Sequence, residues 1–239
     1  MRIDSHQYFT PQHPPEHLKP ILARNRFDGS IVLDDGPVPE RHDFIKGVIH
    51  RAEPFDPKLG ERLDEWQRDP RFKGVRFTLA GALPWGLGEL AHRGLSLDLE
   101  VDTAGLGLVP RMAEAAPDLR IAIDDLANPP YGTTMQEHWK HGMELAARCP
   151  LVYCKASNLI QRAPSPWKAV DMREFVQHAL AAFGPGRFMF GSGWPGCLPQ
   201  AGWKETLAAF TQSIGAQPIE VREQVLGGAA ARFYGVAAE

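Results

Sequence analysis

Apolar and polar residues along the chain follow two periods. Short runs rich in β-branched and aromatic residues, many alternating with polar ones, stand at 2–9, 29–35, 44–52, 72–79, 95–101, 120–125, 151–159 and 187–192, and read as eight strands. Between most of them the apolar residues return every three or four positions, as on a helix with one buried face. These helices are expected at 16–24, 58–68, 106–115, 135–147, 172–182 and 203–213, with a last one at 219–233. Strand alternating with helix predicts a (β/α)8 TIM-type barrel, with 1–239 forming a single domain. An open doubly wound sheet would place a glycine-rich turn after the first strand, and none follows 2–9.

One connection departs from the pattern. Strands 2 and 3 are separated by only 36-GPVPERHD-43, whereas a parallel crossover with its helix normally takes about 10–12 residues. A shortened connection is expected there. It would thin the barrel wall, and a second copy of the chain is a natural cover, so a homo-oligomer is one expectation.

Composition narrows the class. With 44% hydrophobic and 23% charged residues and a formal net charge of −3, the chain reads as an ordinary globular protein. No basic stripe suggests nucleic acid, and no apolar run of the ~20 residues that span a bilayer is present. MRIDSHQYF lacks the basic-then-apolar order of a signal peptide. Three cysteines, Cys149, Cys154 and Cys197, have no metal-ligand spacing and suit a reducing, cytoplasmic setting. No Gly-x-Gly-x-x-Gly, phosphate loop or Cys-x-x-Cys appears, so no cofactor is expected.

Side chains at the C-terminal ends of barrel strands gather at one mouth. That rule collects His6 and Tyr8 from strand 1, Asp34 and Asp35 from strand 2, His50 from strand 3, Arg76 from strand 4 and Asp98 or Glu100 from strand 5. Strand 6 adds Asp124 and Asp125, strand 7 Lys155 and Ser157, and strand 8 Ser192 with Trp194 beyond it. Buried charges are costly unless paired, so these groups form either a polar pocket or ion pairs tying strand ends together. In the first reading Asp125 or His6 is a general base and Tyr8 donates to a developing oxyanion. Arg76 and Lys155 clamp a small anionic or carbonyl-containing molecule, with Ser157, His50, Asp98, Asp124 and Trp194 around it. The aromatic pair 233-FY-234 reads as packing.

The segments 3-IDSHQYF-9, 74-GVR-76, 123-IDDLANPP-130, 155-KAS-157, 190-FGSGWP-195 and 226-LGGAAARFYG-235 together resemble the amidohydrolase-2 family, whose relatives include fuconolactonase-like and pyrone-dicarboxylate-lactonase-like enzymes. The resemblance runs end to end and implies a TIM-type barrel hydrolysing small cyclic esters, amides or related acids. Against the family pattern, Tyr8 replaces the second histidine of His-x-His, and Asp125 stands where a histidine is usual. Gly193 replaces an aspartate that serves as catalytic base or metal ligand, and Ala229 replaces an asparagine. A catalytic zinc needs three protein ligands. His6 and Asp125 supply two, and a phenol with a pKa near ~10 is a poor third. The expectation is therefore a metal-independent enzyme. It would hydrolyse a lactone or run a proton-transfer reaction such as cyclisation, elimination or decarboxylation, and Gly193 would leave room for a bulkier substrate against Trp194. The alternative is a catalytically inactive homologue that binds a small ligand or a partner protein.

Overall fold

The computed structural model describes residues 1–34, 42–79 and 81–237. Eight strands run in chain order: β1 Ile3–Gln7, β2 Gly29–Asp34, β3 Ile45–Arg51, β4 Phe72–Thr78, β5 Ser96–Glu100, β6 Arg120–Ile123, β7 Val152–Ala156 and β8 Phe188–Phe190. They pair in sequence order, every pair parallel. The helices are α1 Pro15–Arg24, α2 Leu59–Trp66, α3 Leu87–His92, α4 Val109–Ala115, α5 Gln136–Ala147, α6 Leu159–Arg162, α7 Ala169–Phe183, α8 Trp203–Ile214, α9 Ile219–Glu223 and α10 Ala229–Tyr234. This is the (β/α)8 barrel that the alternation predicts. Two helices were not legible. α3 buries only Leu87 and Leu90 and is too short to repeat its pattern, and α6 is four residues long and starts at Leu159, where the expected strand 7 ends.

Asp35 and residues 36–41 of the short connection lie outside the described residues. β2 and β3 nonetheless pair in parallel, from Ser30 against Ile45 to Asp34 against His50, with only 35–44 between them. The ring closes between β8 and β1 just beyond the last regular pairing. Gly193 donates its N–H to the His6 carbonyl at 2.8 Å and Tyr8 donates to the Trp194 carbonyl at 3.0 Å.

Alternation along the strands builds two cores. One face of each strand packs outward against the helices, as with Val75, Leu97, Ile121, Cys154 and Phe188. The other fills the lumen with Ile3, Ile31, Leu33, Ile49, Ala122, Tyr153 and Met189, joined by Ala229, Ala230, Phe233 and Tyr234 of α10. Gly227 lies against the backbone of Met1, Arg2 and Ile3, which puts α10 at the N-terminal ends of the strands. The last helix is therefore a plug for the bottom of the barrel. Burying each of its large side chains contributes roughly 1.5–3 kcal/mol. Among the described residues no helix is long and apolar enough to cross a membrane.

Candidate active site

The mouth depends on an irregularity in β1. Asp4 pairs with Ser30 of β2, but the next partner, Val32, is met by Gln7, so β1 carries an extra residue. Asp4 points outward and accepts the indole N–H of Trp203 on α8 at 2.8 Å. In a regular strand His6, two residues on, would point the same way. The bulge turns it instead into the mouth.

From β6 the chain passes directly into a left-handed turn. Asp125, Leu126, Ala127 and Asn128 all have positive φ, 54°, 53°, 55° and 48°. Such a conformation costs roughly 1–2 kcal/mol per L-residue, so neighbours must impose it. Ser157 Oγ accepts the Asp125 N–H at 3.0 Å, Trp139 of α5 donates its indole N–H to the Leu126 carbonyl at 2.7 Å, and Asn128 donates from Nδ2 to the Val101 carbonyl at 3.3 Å. The turn holds the Asp125 carboxylate under several donors. Ser157 Oγ lies at 2.7 Å, Asn158 Nδ2 at 3.0 and 3.1 Å, and Arg162 Nη2 at 3.1 Å.

Gly193 explains why Asn158 stands there. A Cβ on Gly193 would run into Asn158 Oδ1 and lie 2.6 Å from Gln161 Nε2. The space expected to receive a bulkier substrate is therefore filled by two amides of the chain itself. Trp194 is buried against Phe9 and His13, with ring centroids 6.0 and 5.7 Å away. The amides also fix each other. The Gly193 carbonyl can only accept, so the atom of Gln161 3.1 Å from it is the Nε2 donor. The same nitrogen, 2.9 Å from Asn158, makes the atom it meets there Oδ1. Asn158 then turns Nδ2 toward His6 Nε2 at 3.1 Å, which must accept. The ring proton of His6 accordingly sits on Nδ1, which faces Asp124 Oδ2 at 3.8 Å.

Below His6 lies a network of opposed charges. Asp124 meets Lys155 Nζ at 3.0 Å and Arg76 Nε at 3.2 Å, ion-pair contacts that lie off the hydrogen-bond line. Arg76 also pairs with Glu100, and Lys155 with Asp98 at 2.5 Å. Lys155 has no exposed surface at all. The placement of Arg76 and Lys155 as a clamp for a substrate anion is thus corrected in its geometry: both are held by carboxylates of the chain. His50 is corrected too. It shares β3 with the inward-facing Ile49 and so points outward, stacked on Trp66 of α2 with centroids 4.8 Å apart. Tyr8 stands at the rim, 36% exposed, with its hydroxyl beside Gly196 and no hydrogen-bond partner among the described residues.

The charges shape protonation. Burial, with Lys155, Arg76 and Arg162 nearby, pushes the His6 pKa well below the usual imidazole value and keeps the ring neutral. Burial and the adjacent Asp124 raise Asp125. Burial likewise raises Asp98, to about 6. For Lys155 and Arg76 burial opposes the charge, yet Asp124, with Asp98 for Lys155 and Glu100 for Arg76, outweighs it and leaves both above their ordinary values. Burial also raises the Tyr8 phenol. Asn158, Gln161, Arg162 and the hydroxyl of Tyr234 went unread in the sequence. A polar residue directly after the inward Lys155–Ser157 alternation was the only signal for Asn158.

Relatives place this mouth in a lineage. An L-fucono-1,5-lactonase of Burkholderia ambifaria is 26% identical over 81% of this chain and 80% of that protein. An uncharacterized protein, y4mH, of Sinorhizobium fredii is 29% identical over 83% of this chain and 73% of that one. A crystal structure of an amidohydrolase from Burkholderia multivorans with bound HEPES superimposes with a TM-score of 0.87 at 25% identity, covering 99% of this chain and 100% of that one. Another crystal form of the same type carries bound zinc. Among the described residues no three His, Cys, Asp or Glu side chains are grouped to hold a metal, so the donor set here does not fit a three-ligand zinc site. The amidohydrolase family pattern matches residues 37–236, and the chain belongs to that family.

Proposed function

We propose that the chain is a metal-independent acid–base enzyme that opens a small lactone or moves a proton beside the carbonyl of a related acid. The observation that carries this reading is the setting of His6, with Nδ1 facing Asp124 at 3.8 Å and Nε2 meeting the Asn158 amide at 3.1 Å beside Gly193. His6 takes the proton at Nε2 from water or from a substrate carbon. Asp124, fixed by Lys155 and Arg76, stabilises the imidazolium as it forms. Asn158 exchanges its contact with His6 for the substrate carbonyl oxygen, and the unengaged Tyr8 hydroxyl at the rim is the second donor to that oxygen. Asp125 keeps Asn158 in place through its two carboxylate oxygens. The fuconolactonase relative supports a sugar lactone as the first substrate class to try.

The test is turnover of sugar 1,5-lactones, pyrone dicarboxylates and hydroxybenzoates by protein stripped with a chelator. Wild type is expected to keep its rate after stripping, and His6→Asn to lose about 10²–10⁴-fold, the usual worth of a general base. Activity that returns only with added divalent metal, or a fully active His6→Asn variant, would refute the proposal.

A further inference from the structure

The lumen beneath His6 carries a polar column that apolar packing does not require. Asp98 receives Lys155 Nζ at 2.5 Å on Oδ2, and the Tyr234 hydroxyl at 2.8 Å on Oδ2 and 3.0 Å on Oδ1. Lys155 Nζ also stands 5.5 Å from the Tyr234 ring centroid and 3.0 Å from Asp124, which faces His6 Nδ1 at 3.8 Å. All five residues are buried. Tyr234 belongs to α10, the plug at the far end of the barrel from His6. A phenylalanine would fill that space without the cost of burying a hydroxyl, as Phe233 does next to it. The hydroxyl is thus placed for Asp98.

We propose that Tyr234 is a positioning residue for the acid–base machinery: its hydroxyl fixes Asp98, Asp98 holds the Lys155 ammonium, and Lys155 sets Asp124 behind His6. The functional half of this inference rests on the proposed role of His6. The charged and titratable groups facing Asp98 are Arg76 across the register from β4, Asp124 at the end of β6, Lys155 on β7 and Tyr234 on α10; β6 itself presents Ala122. Removing the phenol removes a donor that favours the Asp98 carboxylate, so Asp98 should hold its proton to higher pH.

The test combines a direct titration with kinetics. In protein labelled with ¹³C at aspartate carboxyls, Asp98 is assigned by loss of its signal in Asp98→Asn. In Tyr234→Phe its midpoint should move upward from about 6 by about half to one pH unit, the worth of one net hydrogen bond. Turnover should show a kcat lowered about tenfold with KM nearly unchanged, and an acid limb displaced by the same amount. Should Tyr234→Phe fail to fold, Tyr234→3-fluorotyrosine keeps the ring and makes the hydroxyl a stronger donor, and the midpoint should move down instead. An unmoved midpoint in the folded variant overturns the proposal, and so does a moved midpoint with an unchanged rate profile. Absence of any turnover in wild type would count against the role of His6, while the carboxyl titration still decides whether Tyr234 governs Asp98.

Discussion

At the scale of single residues, Gly193 decides what the mouth can hold. Its φ of 67° and the amides of Asn158 and Gln161 in the place of its side chain mean that restoring an aspartate is not a local change. The Cβ of an aspartate placed there would press on Asn158, which still engages His6 Nε2. The triple variant Tyr8→His, Asp125→His, Gly193→Asp should therefore bind zinc poorly, by isothermal titration calorimetry, although it carries the family's ligand types. Adding Asn158→Ala should clear the lone pair and raise affinity at least about tenfold, or roughly 1.4 kcal/mol. Equal affinity with and without Asn158→Ala would show that the amide does not hold the ligand position.

At the scale of elements, the left-handed turn after β6 ties the site to stability. Ser157 serves it twice, accepting the Asp125 N–H and donating to the Asp125 carboxylate. Ser157→Ala leaves a buried N–H without a partner, and urea unfolding should show a loss of about 1–3 kcal/mol; a variant as stable as wild type would mean that the turn is held from elsewhere. Elements also mark the limit of the sequence reading. A period of two puts Tyr153, Lys155 and Ser157 on one face along β7, whose register with β6 and β8 carries no shift. It fails in β1, where the extra residue sends Asp4 and His6 to opposite sides, and nothing local in IDSHQ announces a bulge. His50 was placed at the mouth from its position at a strand end, although alternation from the apolar Ile49 already sets it outside. The carboxylates that hold Arg76 and Lys155 come from β5 and from the turn after β6. Whether a buried cation is open to a substrate or closed by carboxylates is a property of the assembled barrel.

At the scale of the whole molecule, the barrel buries acids and a histidine whose protonation answers in opposite senses. Asp98 has its folded pKa raised to about 6, chiefly by burial, and burial raises Asp4 and Asp125 as well. For these the folded state binds a proton before the unfolded chain does, so stability is gained as pH falls through the folded value toward the ordinary carboxylate range. His6 acts the other way. Its folded pKa lies well below 6.5 because of burial and the Lys155 charge, so below pH 6.5 the unfolded chain takes up a proton that the native state refuses. Each further pH unit then costs about 1.4 kcal/mol at the limit. The acids' gain and the histidine's loss oppose each other between about pH 4 and 6.5. His6→Asn removes only the histidine's part, and urea unfolding of this variant should show stability rising on acidification from pH 6.5. Its slope should differ from that of wild type by up to about 1.4 kcal/mol per pH unit. Parallel pH profiles for the two proteins would mean that His6 takes up a proton in the native state as readily as in the unfolded one, and the neutral base on which the proposed chemistry depends would be lost with it.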